Sequence, residues 1–235
     1  MVSQMLFGEM AEVIGNHENW FQVRLHYDNY TGWIDKKQVA PVSDEEVKHL
    51  ESSKTFLSSD LVQIAIWDEN QICPIVIGST LPNYKDGKFS IGKTHYSFEG
   101  NSIEISAPSP NKVLEFAYLY LNAPYLWGGR SPFGIDCSGF TQLVFKLCGI
   151  KILRDASQQA EQGITIEKLE ESIPGDLAFF GHPEKKISHV GIILPGKMII
   201  HASGKVKINR LDSKGIFNED INDYSHNLRT IKRIS

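Results

Sequence analysis

The sequence is poor in the features that mark disulfide-stapled, membrane-spanning or nucleic-acid-binding proteins. Of 235 residues only three are cysteine, Cys73, Cys137 and Cys148. That is too few for a disulfide framework, and no two stand in the Cys-x-x-Cys spacing of zinc and redox motifs. No apolar run approaches the roughly 18–20 residues that span a bilayer, so no membrane span is expected. Against 28 acidic residues there are 24 basic ones, a formal net charge of −4. There is no basic stripe or run of the kind a phosphate backbone requires, and no nucleic-acid partner is expected. The opening residues, from Met1 to Glu9, have no basic n-region, apolar core or cleavage site. The expected location is therefore the cytoplasm, with the envelope open if the natural protein extends upstream of Met1. What the chain does have is 41% hydrophobic residues, enough for ordinary globular cores.

Along the chain the apolar pattern changes period. Residues 1–42 alternate in short runs, Ala11 to Ile14, Trp20 to Leu25 and Gly32 to Ile34, broken by Gly15-Asn16-His17 and Asp28-Asn29-Tyr30, which predicts a small antiparallel β unit. Residues 43–54 are acidic and read as a short capped helix or a linker, with Ser43 and Glu46 in the spacing of a capping box. Strand-like runs return over 55–106, a second small β-barrel, and Ala107-Pro108-Ser109-Pro110 makes a stiff link. From 107 to 235 a helical stripe (Val113, Leu114, Ala117, Tyr118, Leu121, stopped by Pro124) and a second helix precede five strand-like runs. That order defines an α+β domain.

The second helix carries the chemistry. Phe140, Leu143, Val144 and Leu147 form its apolar stripe, Asp136 reads as its N-cap and Cys137 as its first residue. A thiol there faces unpaired backbone N–H groups and the positive end of the helix dipole, which favours the thiolate at neutral pH. A structural buried cysteine is the bland alternative. Of eight histidines, His189 and His201 lie on adjacent arms of a predicted hairpin turning at Pro195-Gly196. An odd-length loop centred on Pro195 sets them directly opposite each other on one face, whereas a two-residue Pro-Gly loop puts them on opposite faces. On one face, His189 is the general base for Cys137, and His201 orients its ring. The Cys137 N–H is a candidate oxyanion donor, with the Tyr125 hydroxyl as the second donor or merely a packing aromatic. Gly128 and Gly129 allow close backbone approach. Zinc on one cysteine and two histidines is chemically possible, but no Cys-x-x-Cys element accompanies them. No metal or other cofactor is expected.

Five motifs, Tyr125-x-Trp127-Gly128-Gly129, Asp136-Cys137-Ser138-Gly139, Pro174-Gly175-Asp176-Leu177, His189-Val190-Gly191-Ile192 and His201-Ala202, together resemble the NlpC family of papain-like cell-wall peptidases. The resemblance covers about residues 108–235. It implies a papain-like catalytic domain, helices packed on an antiparallel sheet, with Cys137, His189 and His201 as its triad. The implied reaction hydrolyses the γ-D-glutamyl bond to a diamino acid in peptidoglycan stem peptides. Phe7-Gly8-Glu9, Trp20-Phe21 and Tyr30-Thr31-Gly32-Trp33 resemble a bacterial SH3-like domain, and 55–106 a weaker second one. Two such barrels before an NlpC domain resemble recycling-type enzymes that require a free N-terminal L-alanine. That likeness carries Asp136, Ser138 and Ser157, and with them Glu9 and Tyr30, into an amine clamp. Asp136 as a plain N-cap and Ser157 as a packing residue stay open beside it. Some 41 residues are short for an SH3-like barrel, so its first strand is missing, supplied by other parts of the chain or lying upstream of Met1. Amidase or acyltransferase chemistry on the same fold, and a non-catalytic wall-binding protein, are the competing readings.

Overall fold

Residues 1–67 and 71–234 are described in a computed structural model of the chain. They form two compact units, Met5–Ala107, and Met1–Gln4 together with Pro108–Ser235.

In the unit Met5–Ala107, strands β1 (Ala11–His17), β2 (Trp20–Leu25) and β3 (Thr31–Asp35) make an antiparallel meander. Its strands bury only Val23 and Leu25. Helix α1 (Asp44–Ser52) is capped by Ser43, whose hydroxyl accepts from the Glu46 N–H at 3.2 Å. Strands β4 (Thr55–Ser58), β5 (Val62–Trp67), β6 (Gln71–Val76), β7 (Lys88–Ile91), β8 (Thr94–Phe98) and β9 (Ser102–Ile105) follow. They pair as a four-stranded sheet, β6-β5-β8-β7, and a two-stranded one, β4-β9. The capping box expected at Ser43 closes only halfway. The Glu46 carboxylate accepts from the Gly92 N–H at 2.7 Å, which ties α1 to the β7–β8 turn. Ala65, Ile75, Leu81, Phe89 and Phe98 are the core, and Phe7 packs against it with its ring edge-on to Phe89 and Tyr96. Phe7 thus serves the second β region, not the meander next to it in sequence.

The second unit contains α2 (Val113–Leu119), the short strands β10 (Arg130–Ser131) and β11 (Gly134–Ile135), α3 (Cys137–Leu147) and α4 (Ala156–Gln159). Helix α2 buries Val113, Phe116 and Ala117, with Tyr120 just beyond it, while Tyr118 and Leu121 of the expected stripe are exposed. The buried stripe is therefore the i, i+3, i+4, i+7 set starting at Val113. Helix α3 is buried at every position, so its apolar stripe is only one part of its contact surface.

Seven strands complete this unit: β12 (Ile164–Ile166), β13 (Leu177–Phe180), β14 (His189–Leu194), β15 (Met198–Ser203), β16 (Lys205–Leu211), β17 (Gly215–Asn218) and β18 (Asp223–Arg233). Their order is β12-β18-β13-β14-β15-β16-β17, all antiparallel, and β17 also pairs with β18. The sheet therefore closes on itself. Ala178, Phe180, Ile193, Ile199, Leu211, Ile216 and Ile231 fill its interior. Alternate residues of β14 and β15, among them Val190, Ile192, Ile200 and Ala202, are equally buried. Helix α3 lies against these two strands, which explains why they are apolar on both faces.

Candidate active site

The helix start at Cys137 is built by Asp136. Its backbone is extended (φ −93°, ψ 174°), and its Oδ1 accepts from the Gly139 N–H at 2.6 Å, an N-cap bond. Oδ2 accepts from the Gly128 N–H at 2.8 Å, so the same carboxylate staples the glycine loop to the helix. Arg154 completes the arrangement, its Nη1 donating to Oδ1 at 3.0 Å and its Nη2 to Oδ2 at 2.7 Å. Arg154 is 1% exposed and Asp136 6%. These four donors, with the Ser138 hydroxyl donating to Oδ1 at 3.4 Å, occupy the acceptor positions of the carboxylate. Arg154 Nη1 also donates to the Ser138 hydroxyl at 2.9 Å, which draws the residues on both sides of Cys137 onto one guanidinium.

The Cys137 thiol is buried and rises to about 11. Burial is the largest cause and the Asp136 charge the second, while backbone hydrogen bonding from Val190 and Ser138 and the Arg154 charge pull the other way. The helix start alone predicts a lowered value; here desolvation outweighs it. At rest Cys137 is a neutral thiol whose sulfur lies beside the backbone of Val190, at the beginning of β14.

The hairpin resolves the parity question. Leu194 pairs with Met198 and Ile192 with Ile200, so the loop is Pro195-Gly196-Lys197, odd in length and centred on Gly196. His189 and His201 share a face but are offset by one pleat: the register sets Gly191, not His189, across from His201. A Cβ at Gly191 would lie 2.9 Å from that of His201. The missing side chain leaves room for the His189 ring to reach across the diagonal. His189 Nε2 lies 2.8 Å from His201 Nδ1, and His201 Nε2 lies 3.0 Å from Asn209 Oδ1 on β16. His226 of β18 stacks on His189, with centroids 4.1 Å apart and ring planes 27° apart. Burial, then His226, then His201 hold His189 well below its ordinary value. Burial chiefly lowers His201 to about 4, with Asn209 raising it and His226 and Lys207 lowering it. Both imidazoles are neutral at pH 7.

Tyr125 follows Pro124 at the entrance to the glycine loop, and its N–H donates to the Gly204 carbonyl at 3.0 Å. Burial first, then the charges of Cys137 and Asp136, push its hydroxyl up to about 12, with Arg154 opposing. Ser157 is in α4 and takes no part in the Asp136–Ser138–Arg154 cluster. Glu9 precedes β1 and accepts from the Leu6 N–H at 2.9 Å. Tyr30 precedes β3, its N–H donating to Asp28 Oδ1 at 2.9 Å. Asp176, from the Pro174-Gly175-Asp176 motif, is structural: Arg233 donates to it twice, at 2.9 and 2.8 Å. Sequence reasoning did not find Arg154, Asn209 or His226. Arg154 is the one with a signal, an arginine three residues before the serine already singled out. Among the described residues no group of three or more His, Cys, Asp or Glu is arranged to hold a metal ion.

A thiol at a buried helix start, set against a sheet that carries a bonded histidine pair, defines a papain-like domain. Residues 122–223 match the NlpC/P60 family, and residues 1–39 match the bacterial dipeptidyl-peptidase SH3 domain. The chain carries an NlpC/P60 domain preceded by a bacterial SH3 domain. It is 28% identical to a gamma-D-glutamyl-L-lysine dipeptidyl-peptidase of Bacillus cereus, over 92% of this chain and 72% of that protein. Identity to the protein of the same name from Bacillus subtilis is also 28%, over 85% of this chain and 71% of the relative. The crystal structure of an NlpC/P60 family protein from Bacillus cereus shares the fold, with a TM-score of 0.82, 23% identity, and coverage of 99% of this chain and 82% of that one.

Proposed function

We propose that this chain is a cysteine endopeptidase that hydrolyses the bond between the γ-carboxyl of D-glutamate and an L-diamino acid in peptidoglycan stem peptides, and that it requires a free N-terminal L-alanine on them. The observation that carries the proposal is the buried Cys137 at the start of α3 beside the strand that begins with His189. The names of the Bacillus relatives support the choice of bond. In the same proposal residues 55–106 form a second SH3-like fold, and helices pack on the catalytic sheet as in papain.

The thiol is neutral at rest, so its proton passes to His189 as sulfur attacks the γ-carbonyl. The oxyanion is received by the Cys137 N–H, which has no intrahelical partner by position, and by the Tyr125 hydroxyl. The C–N bond then breaks, His189 returns the proton to the departing amine, and a thioester remains on Cys137. Water attacks the thioester, gives one proton to His189 and restores the thiol. Asp136 enters as the group that holds the helix start, its acceptor positions being taken. Glu9 and Tyr30 are assigned to reading the substrate amine, with Ser138 and Ser157.

Incubation with L-Ala-γ-D-Glu-L-Lys and its diaminopimelate counterpart, free and N-acetylated, followed by mass spectrometry, tests the proposal. The expected products are L-Ala-D-Glu and the free diamino acid, formed from the free peptides and not by Cys137→Ala. Equal rates on free and acetylated peptides would remove the amine requirement and leave an ordinary wall endopeptidase. Transfer of the acyl group to an added amine instead of water would make it an acyltransferase.

A further inference from the structure

The hydrogen-bond chain that starts at His189 does not stop at His201. It runs on to Asn209, a residue of β16 on the same face of the closed sheet, two positions beyond Lys207, which pairs directly with His201. Each link constrains the next. An amide oxygen only accepts, so the 3.0 Å contact to Asn209 Oδ1 requires the hydrogen of His201 to be on Nε2. A neutral imidazole has one N–H, which leaves His201 Nδ1 as an acceptor. The 2.8 Å contact from His189 Nε2 must then carry the hydrogen of His189. What remains is a bare lone pair on His189 Nδ1, the state a base needs if it is to take a proton from a thiol.

We propose that Asn209 is a positioning residue that sets the tautomers of both histidines, so that His189 offers an unprotonated Nδ1 to Cys137. This rests on the reading of Cys137 and His189 as nucleophile and base. With the chain reversed, His201 would donate through Nδ1 and the hydrogen of His189 would be on Nδ1, where it blocks proton transfer. His226 cannot take over the role of Asn209, because it meets His189 face to face and its Nδ1 lies 2.9 Å from the Ser225 hydroxyl.

The test uses the full chain and two variants. Asn209→Leu removes the acceptor at similar size, and Asn209→Asp keeps it. Nitrogen-15 NMR of the imidazoles reads the tautomers without any substrate. Wild type and Asn209→Asp should show both histidines protonated on Nε2, and Asn209→Leu should show a mixture of forms. Hydrolysis of the stem tripeptide should fall roughly 10- to 100-fold in kcat for Asn209→Leu, with KM little changed. Asn209→Asp should retain kcat and move the acidic limb of the pH profile, with Lys207, His226 and Cys137, the other titratable groups facing the pair, unaltered in both variants. A wild-type tautomer pattern in Asn209→Leu would overturn the proposal, whatever the activity. If Asn209→Leu does not fold, Asn209→Asp decides by itself: loss of the Nε2-protonated forms there, with the acceptor present, would refute it. An altered tautomer pattern in a protein whose wild type does not cleave the tripeptide would sustain the role of Asn209 and reject the peptidase.

Discussion

Two residues bring charge chemistry into places that water does not reach, and they do it in opposite ways. Asp136 is enclosed by Arg154 and two backbone N–H groups, all donating to its carboxylate. A buried pair of this kind contributes geometry more than stability, and here the geometry is the helix start that aims Cys137. His201 is held neutral instead, and stability follows from that. Its value in the fold, about 4, lies below its ordinary 6.5. Between those limits the unfolded chain binds a proton that the folded chain refuses, so stability is full above pH 6.5 and declines as pH falls toward 4. That difference corresponds to about 3 kcal/mol, and His189, lowered in the same direction, adds to it. Urea unfolding at pH 7 and pH 4.5 should show this loss, and His201→Asn should lose less over the same interval. An equal acid dependence in the variant would mean that other groups, such as carboxylates, govern it.

At the scale of elements, α3 and the β14–β15 hairpin could be read in the sequence because each carries a local signal. Asp136 before Cys137 has the chemistry of a cap, and Pro195-Gly196 marks a turn whose parity was the one open question. Closure of the sheet could not be read. Strand β17 is four residues long and shows no alternation, and its second pairing depends on a non-local approach to β18. The seam is made at Gly215, whose φ of +146° disfavours other residues and whose Cβ position would fall 1.8 Å from the His226 carbonyl oxygen. Asn209 and His226 escaped for the same reason: they join the site only because β16 and β18 are brought round to it. Gly215→Ala must displace backbone and is expected to cost at least about 3 kcal/mol. Gly196→Ala, also at positive φ but in open space, should cost only about 1–2 kcal/mol. Similar urea midpoints for the two variants would show that the seam can open without penalty.

At the scale of the whole molecule, the catalytic unit is assembled from two stretches of chain, since residues 1–4 belong with residues 108–235. Composition and periodicity gave no hint of this, because Ser3 and Gln4 are ordinary polar residues whose partners are more than a hundred positions away. Arg154 Nε donates to the Ser3 hydroxyl at 3.0 Å, and the Arg130 N–H and Nη1 donate to Gln4 Oε1 and to its carbonyl, each at 2.7 Å. Both arginines are 1% exposed, so these acceptors satisfy donors that water reaches poorly. Hydrogen bonds to charged groups contribute about 1.5–3 kcal/mol each, and ordering four residues offsets much of that sum. Deleting residues 1–4 should therefore destabilise the catalytic unit by about 2 kcal/mol, a fall in Tm of about 4–8 °C for a protein of this size. Arg154 also holds Asp136 and Ser138, so kcat should fall with it, even though none of the deleted residues is assigned to the chemistry. Differential scanning calorimetry together with tripeptide hydrolysis checks both effects. An unchanged Tm with unchanged kcat would mean that water replaces Ser3 and Gln4 without loss, and that the first four residues are not part of the catalytic unit's stability.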